Sequence, residues 1–536
     1  MAIAALGQLW KYLALRKSLA AVLSRPLRSE DCAAIVEQQL ARREENFLAR
    51  MQRDVYQNSR SPYLALLRDA KIAFPDICDA VRRKGVDKAL RALRDEGVYL
   101  SFEEYKGRAP VVRRGKTYEI NAADFTIRTE AARYETFTGG STGPSVRVAQ
   151  SLTEQAEQAV ATGLIFHLWM PPNSKVALWR SERPTASVSA LVRFGLIGQA
   201  PAGWFTPLLG KGERRSWQSR ALLRMILRGL RRRGFAVPDP EYVPLLEAHR
   251  IAAWIAAEKR AGFTTMLQCN VSSAVRVCDA ARRRSIDIAG TRFFMISEPL
   301  TEAKRREIEA AGAVPVSVYS AVDAGRLAIP CLKPSAADDM HVCKDLVAIV
   351  ERPRLRPGSD ETVNAFLITT LARAQGLFLL NVEFDDFGLL ETRDCGCPLE
   401  RLGLDQHVSR VRSFAKLTAE GTSITSASVA AIIEDALPQR FGGASVDYQL
   451  LEEELGSATR LTIVVSPRVG AIVEGEVVAE FLRQVRAGHP VLRAASRLWE
   501  DSHALRVVRA EPVLTARGKL MPVRVLRDYE RSELPG

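Results

Sequence analysis

Histidine and cysteine are both scarce in this 536-residue chain, with six of the first and eight of the second. Eight cysteines over that length make no disulfide framework, and the expected compartment is a reducing cytoplasm. The histidines are scattered, with no Gly-x-Ser-x-Gly or Cys partner nearby, which leaves a hydrolase triad without support. Also missing is any apolar run approaching the ~18 residues of a bilayer span. The first residues are interrupted by Lys11, Arg16 and Lys17 and carry no small-residue cleavage site, which argues against secretion. No internal repeat or low-complexity tract occurs, so the chain is not a repeat array.

What is present fits a globular protein: 47% hydrophobic and 26% charged residues, in a chain long enough for several domains. The net charge of +14 is uneven. Much of it lies between Arg214 and Arg233, where arginines interleave with Trp217, Leu222, Leu223, Met225, Ile226, Leu227 and Leu230. That pattern is a basic amphipathic helix. It suits either a surface helix packed on the core or a docking face for an acidic carrier protein or a peripheral membrane surface. Nucleic acid is not expected as a partner, because no binding motif accompanies the charge.

Residues 1–100 have helical Leu/Ala periodicity. Apolar runs then alternate with amphipathic helices. Helices are expected near 152–168 and 185–197, over the basic segment, near 243–261, after a cap at Ser272 or Ser273, and from Thr301. Between them lie the strand-like runs Lys175–Arg180, Phe263–Cys269, Arg292–Ile296 and Val314–Ser320. Residues 340–395 are richer in strands: Leu346–Glu351, Ala365–Leu371 and Leu377–Val382. From about Ser413 a compact α+β pattern takes over. The expected class is α/β, with a large multi-layer N-terminal body of mainly parallel sheets and a small C-terminal α+β domain.

One loop stands out. Thr138-Gly139-Gly140-Ser141-Thr142-Gly143 puts three glycines among hydroxyl residues, a composition that lets backbone amides and hydroxyls surround anionic oxygens. By itself such a cluster is most often an ordinary loop. It gains meaning from four more segments in order along the chain: Ser297-Glu298-Pro299 after a strand, Tyr319-Ser320-Ala321-Val322-Asp323 about twenty residues on, Asp386-Phe387-Gly388 after a later strand, and Gly518-Lys519 near the C-terminus. This order resembles the adenylate-forming superfamily of acyl-CoA synthetases and adenylation domains, and within it the phenylacetate–CoA ligase-like branch. Asn58–Leu67 is similar to that branch's N-terminal segment.

The resemblance implies a fold and a chemistry. Residues 1–412 would be an N-terminal AMP-binding domain and residues 413–536 a mobile C-terminal lid. A carboxylic acid would attack the α-phosphate of ATP, and the adenylate would pass to a thiol of CoA or an acyl carrier protein, or to an amine acceptor. Thr138–Gly143, with Thr142 among its donors, would hold the β and γ phosphates. Ser297, Glu298 and Pro299 would line the adenine pocket with Tyr319 and Ser320, Tyr319 by stacking. Asp323 stands where the family has Glu and would face Mg²⁺. Asp386 would receive the ribose hydroxyls, Arg412 would keep the hinge arginine, and Lys519 would bridge the attacking carboxylate and the α-phosphate.

Departures from the family pattern are equally specific. No lysine follows the Gly143-Pro144 step, and only Arg147 is near. The segment Val382–Asp386 lacks the usual arginine, and Phe414 and Ala415 replace the acidic hinge residues. The amide-forming ligase and the non-catalytic nucleotide-binding relative are therefore the alternatives to acyl transfer to a thiol.

Cys331, His341, Cys395 and Cys397 form a separate set whose thiolate and imidazole donors suit tetrahedral Zn²⁺. The spacing is that of no familiar finger, and free buried thiols are the other reading. The resemblance, whose branch carries Cys, Leu-His and Cys-x-Cys at these relative places, implies a structural zinc. Cys343 is a spare donor, and Cys32, Cys78, Cys269 and Cys278 read as core.

Overall fold

The computed structural model describes Lys17 and residues 21–526, apart from 25, 108, 121, 126–132, 138–146, 181–185, 208–216, 233, 298–299, 356–361, 414–415, 418–423, 456–457, 489–495, 497–498, 501–503 and 515–519. The loop at 138–143, Glu298, Pro299 and Lys519 therefore lie outside the described residues.

The alternating region folds as expected. Strands β1 (Ser174–Trp179), β2 (Gly203–Thr206), β3 (Glu241–Tyr242), β4 (Thr264–Asn270), β5 (Arg292–Ile296) and β6 (Val314–Ser317) form one six-stranded sheet in the order β6-β5-β4-β1-β2-β3. Every neighbouring pair is parallel. Successive strands step outward from β1 to β3. The chain then returns to the other side of β1 at β4, so the topological switch point lies between β1 and β4, where ligands of such sheets settle at the carboxyl ends. Strands buried on both faces read as continuous apolar runs, which is why Lys175–Arg180 and Arg292–Ile296 were legible.

Helices α1 (Leu152–Trp169), α2 (Ala186–Leu196), α3 (Trp217–Arg231), α4 (Ala248–Arg260), α5 (Val271–Arg283) and α6 (Glu302–Ala310) accompany this sheet. Local chemistry starts two of them. The Ser151 hydroxyl accepts the Glu154 N–H at 3.0 Å to open α1, and Thr301 does the same for Lys304 at 3.4 Å in α6. The expected serine cap of α5 is corrected: Asn270 is its N-cap residue, so both serines fall in the first turn. The strand β4 runs directly into the helix and leaves no room for a later cap.

The basic helix α3 turns Met225, Ile226, Leu227 and Leu230 into the core, and Arg224 and Arg228 outward. Gly195 of α2 admits it closely, since a Cβ there would stand 2.4 Å from a Leu230 methyl. The apolar side that a membrane contact would insert is thus already packed. Trp179 and Trp204 are core as well, each 1% exposed.

The second large sheet is antiparallel. Strands β7 (Tyr319–Ala321), β8 (Gly325–Pro330), β9 (Met340–Val342), β10 (Val347–Leu355), β11 (Thr362–Thr370), β12 (Val382–Thr392) and β13 (Gln406–Ser413) lie in the order β7-β8-β9-β13-β12-β11-β10. Short links without crossover helices join these strands, which permits antiparallel pairing only. Two expectations change here. Val314–Ser320 is not one strand: β6 ends at Ser317, the Val318 N–H donates to the Met295 carbonyl at 3.0 Å, and Tyr319 opens the other sheet. Leu377–Val382 is not one strand: only Val382, which opens β12, is in it, because Asn381 takes φ 51° and sends its side-chain amide to the carbonyls of Leu90 and Val98.

N-terminal helices cover this sheet, with Phe74–Asp95 lying on β10. Arg50, 1% exposed, ties them to it by donating to Asp54 at 2.9 Å and to the carbonyls of Ala372 and Gln375 at 2.5 and 3.0 Å.

Beyond Ser413 a four-stranded sheet forms from Tyr448–Leu455, Ala458–Val465, Leu505–Arg509 and Val523–Leu526, with the helix Glu474–Ala487 against it. This unit meets α5 and α6 of the larger body. Lys304 and Glu434 form an ion pair at 2.5 Å with side chains only 4% and 3% exposed. Glu307 accepts the Ser445 N–H at 3.1 Å.

Removing one partner of a buried pair strands the other charge, at a cost of about 3–5 kcal/mol, whereas an apolar replacement of both is tolerated. Lys304→Met should therefore lower the urea midpoint clearly, and adding Glu434→Leu should restore most of the loss. A double variant no more stable than the single one would show that the pair does not act this way.

Candidate active site and Cys/His cluster

The passage from β6 to β7 positions the first group of site residues. Because β5 and β6 are parallel neighbours in register from Arg292 with Val314 to Met295 with Ser317, Ser297 and Tyr319 emerge at adjacent strand ends. Ser297 is exposed and held at φ 76°, a left-handed backbone that a residue with a side chain seldom adopts. Tyr319 donates its hydroxyl to Asp386 Oδ2 at 2.6 Å, joining residues 67 apart in sequence. Burial, with Asp386 alongside, pushes the Tyr319 phenol well above its ordinary value and keeps it a donor. Tyr319 and Asp386 are thus in direct contact. The tyrosine contributes its hydroxyl as well as its ring.

Asp386 lies on β12 opposite Ser413 of β13, and its neighbour Phe387 lies opposite Arg412. The Arg412 guanidinium is engaged by Asp338, which takes Nη1 at 3.1 Å along with the backbone N–H groups of Arg410 and Val411 at 2.7 and 2.9 Å. Asp338 thereby holds the last strand before the C-terminal unit, and no sequence motif marks it.

Asp323 follows β7 and is 6% exposed. Its Oδ2 receives the Tyr105 hydroxyl at 3.0 Å and pairs with Lys106 at 3.2 Å, while Oδ1 has no hydrogen-bond partner among the described residues. Both partners come from the short N-terminal helix Phe102–Tyr105 and the residue after it, which sequence spacing from Asp323 could not have indicated. Ser320, exposed, accepts from Arg326 Nη1 at 2.9 Å.

The four proposed metal ligands converge. Cys331 follows β8, His341 lies on β9, and Cys395 and Cys397 sit between β12 and the short helix Pro398–Arg401. Their donor atoms all lie within 4.8 Å of one another. Cys397 Sγ is 3.2 Å and Cys395 Sγ 3.7 Å from His341 Nε2. The other ring nitrogen, Nδ1, is 2.5 Å from the Leu404 carbonyl, which fixes the ring and leaves Nε2 toward the thiols. Burial, followed by repulsion from His407, lowers the His341 pKa to about 4, so the ring is neutral near pH 7. Burial pushes the Cys331 thiol up to about 12. A bound cation reverses that thiol preference. Cys343, the spare donor, is buried and stands outside the set.

Around this cluster is a polar ring that no sequence motif announces. His407 pairs with His341 across β9 and β13, their ring centroids 4.0 Å apart. Its Nδ1 is 2.7 Å from Asp339 Oδ1, and Arg393 pairs with the other oxygen of the same carboxylate. Adjacent Asp338 and Asp339 look alike in sequence. Only the fold sends one to the end of β13 and the other to the cluster.

Burial works to raise the Asp339 pKa, but the bonds from His407 and the Ser335 N–H outweigh it and hold the carboxyl at about 2. A depressed folded-state pKa contributes stability that is full above about pH 4 and is lost as the pH falls through about 2. Asp339→Asn should flatten the acid limb of the melting temperature between those values. An unchanged limb would place the acid sensitivity elsewhere.

No family model matches this chain, and no curated protein matches it. In solved structures it is similar to acetoacetyl-CoA synthetase from Streptomyces lividans, with 16% identity and a TM-score of 0.40 over 72% of this chain and 53% of that one. It is similar to an anthranilate CoA ligase in complex with anthranoyl-AMP, with 10% identity and a TM-score of 0.42 over 81% of this chain and 74% of that one. For an amide bond synthetase from Marinactinospora thermotolerans the values are 13% and 0.39, over 86% of this chain and 92% of that one. The chain thus spans about half the length of the first synthetase, at 53%.

Proposed function

We propose that the chain is an ATP-dependent carboxylate-activating ligase that forms an acyl- or aryl-adenylate and passes the acyl group to a thiol of CoA or a carrier protein, as a phenylacetate–CoA ligase does. The observation that carries this reading is the 2.6 Å bond from Tyr319 to Asp386. It joins two motifs expected around one nucleotide, beside the carboxyl ends of a doubly wound sheet.

In the first step a carboxylate oxygen of the acid attacks the α-phosphorus of ATP, and the bond to the bridging oxygen breaks to release pyrophosphate. In the second, a thiol sulfur attacks the acyl carbon and AMP leaves. Such displacements ask the protein mainly to position groups and to neutralise charge. Asp386 accepts from the ribose hydroxyls, with Tyr319 holding the carboxylate in place. Residues 138–143 surround the β and γ phosphates, and Lys519 bridges the attacking carboxylate and the α-phosphate. Residues 413–536 act as the lid that delivers this lysine.

Mg²⁺ would neutralise phosphate charge, and the unpartnered Oδ1 of Asp323 suits it, with Lys106 and Tyr105 aiming the carboxylate. The Cys₃His donor set of Cys331, His341, Cys395 and Cys397 suits a structural Zn²⁺ that would staple β8, β9 and the turn after β12.

Isotope exchange between pyrophosphate and ATP, run over a panel of carboxylic acids with Mg²⁺, tests the reading. Lys519→Ala should reduce exchange on the order of 100-fold or more, and Asp386→Asn should act mainly by raising KM for ATP. Exchange that is flat across every acid, or indifferent to both substitutions, would refute the proposal. Elemental analysis should find about one zinc per chain, reduced in Cys397→Ser; zinc-free protein with an unchanged melting temperature would remove the metal.

A further inference from the structure

Two buried cations, Arg50 and Lys304, and the half-buried Lys106 each have a carboxylate, respectively Asp54, Glu434 and Asp323. Arg326, the second residue of β8, is 4% exposed and is bonded instead to the Ser320 hydroxyl. The charged arginines that act on it are Arg193 and Arg180, and burial together with their repulsion lowers its pKa to about 9. Among the described residues its Nε has no hydrogen-bond partner.

Gln158 of α1 stands beside it. The glutamine Oε1 accepts the Arg326 backbone N–H at 2.6 Å, and its Nε2 has no partner. This approach is built into the strand, because a Cβ at Gly325, where φ is 78°, would stand 2.3 Å from Gln158 Nε2. Two unpaired donors therefore lie close together in the interior, where an unmet donor is costly.

Their location points to a ligand. Arg180 is the first residue after β1, at the switch point of the parallel sheet. Ser320, directly bonded to Arg326, is exposed at the mouth of the nucleotide site. The Arg326 guanidinium also lies over the buried Phe294 ring, 5.5 Å from its centroid. That gives the recess an apolar wall suited to a carbon chain with an anionic end.

We propose that Arg326 and Gln158 receive a second carboxylate of the substrate, so that the acid activated by this protein is a dicarboxylic acid. The identification of the anion as part of the acid rests on the ligase function proposed above. A guanidinium takes a carboxylate through paired N–H groups, and here the partner would also satisfy Gln158 Nε2. The ligase reading assigns the triphosphate to residues 138–143, which leaves the acyl end of the substrate as the anion for Arg326.

The test is calorimetric titration of the full chain, without nucleotide, with malonate, succinate, glutarate, adipate and phthalate and with the monomethyl ester of each. ATP is titrated separately. At least one diacid should bind on the order of 100-fold more tightly than its half-ester. Arg326→Gln should erase that difference and leave ATP binding unchanged. Gln158→Glu is a second variant suited to folding, since it keeps the acceptor for the Arg326 N–H and places a carboxylate by the guanidinium. It should raise the melting temperature and exclude the diacid.

Equal binding of diacids and half-esters, no binding of any diacid, or discrimination that survives in both variants overturns the proposal. So does loss of ATP affinity in Arg326→Gln with acid binding intact, which would assign the guanidinium to phosphate. Pyrophosphate exchange separates this inference from the function on which it rests. Exchange that favours half-esters leaves the ligase standing and removes the dicarboxylate. Diacid binding that depends on Arg326, with exchange for no acid, removes the ligase and leaves the anion site.

Discussion

The chain leaves the parallel sheet at Ser317 and enters the antiparallel one at Tyr319, and the geometry of the site depends on that passage. The hydrogen bond from the Val318 N–H to the Met295 carbonyl keeps the end of β6 registered to β5 until the last moment. Tyr319 is then free to pair with β8 and to reach Asp386 on β12. One stretch of backbone thus belongs to two sheets and brings their edges together. A break in either register would separate the tyrosine from its carboxylate while leaving most of both cores intact.

Charge is handled in three ways around this junction. Asp323 and Asp339 are buried carboxylates matched by partners from distant segments, Lys106 with Tyr105 in one case and His407 with Arg393 in the other. Pairing offsets desolvation there and makes the carboxylates structural anchors. The Cys/His set holds a neutral imidazole and, at Cys331 and Cys395, thiols whose pKa burial raises, an arrangement that becomes charged favourably only with a cation present. Arg326 is the reverse case, a buried cation whose Nε meets no acceptor among the described residues. The same desolvation physics thus acts on carboxylates, on thiols with imidazole and on a guanidinium, with an outcome set by what the neighbours supply.

Much of the fold was readable in advance where one physical signal dominated. The continuous apolar runs of β1 and β5 and the helical spacing of α1 located those elements closely. Leu377–Leu380 misled because it is buried for a different reason. Asn381, at φ 51°, closes a turn whose side-chain bonds reach Leu90 and Val98, and no local pattern records such partners. Likewise Val314–Ser320 is uniformly strand-like in composition, yet the sheet to which each half belongs is a tertiary choice. For the basic helix, composition allowed a membrane or a core for its apolar side, and the packing of Leu230 against Gly195 selects the core.

By itself the amino-acid order determined which residue types were available and in what sequence: a hydroxyl–glycine loop, a tyrosine–aspartate pair of motifs, a Cys₃His set and a late lysine. Composition and periodicity also determined that an α/β body precedes a smaller α+β unit. Only the tertiary structure decided that Tyr319 meets Asp386, that Asp338 and Asp339 serve different strands, and that Gln158 meets the backbone of Arg326. The physical reason is that hydrogen bonding and desolvation act at a few ångströms. Residues 67 or 168 positions apart come within that range only when sheet register and helix packing close the distance.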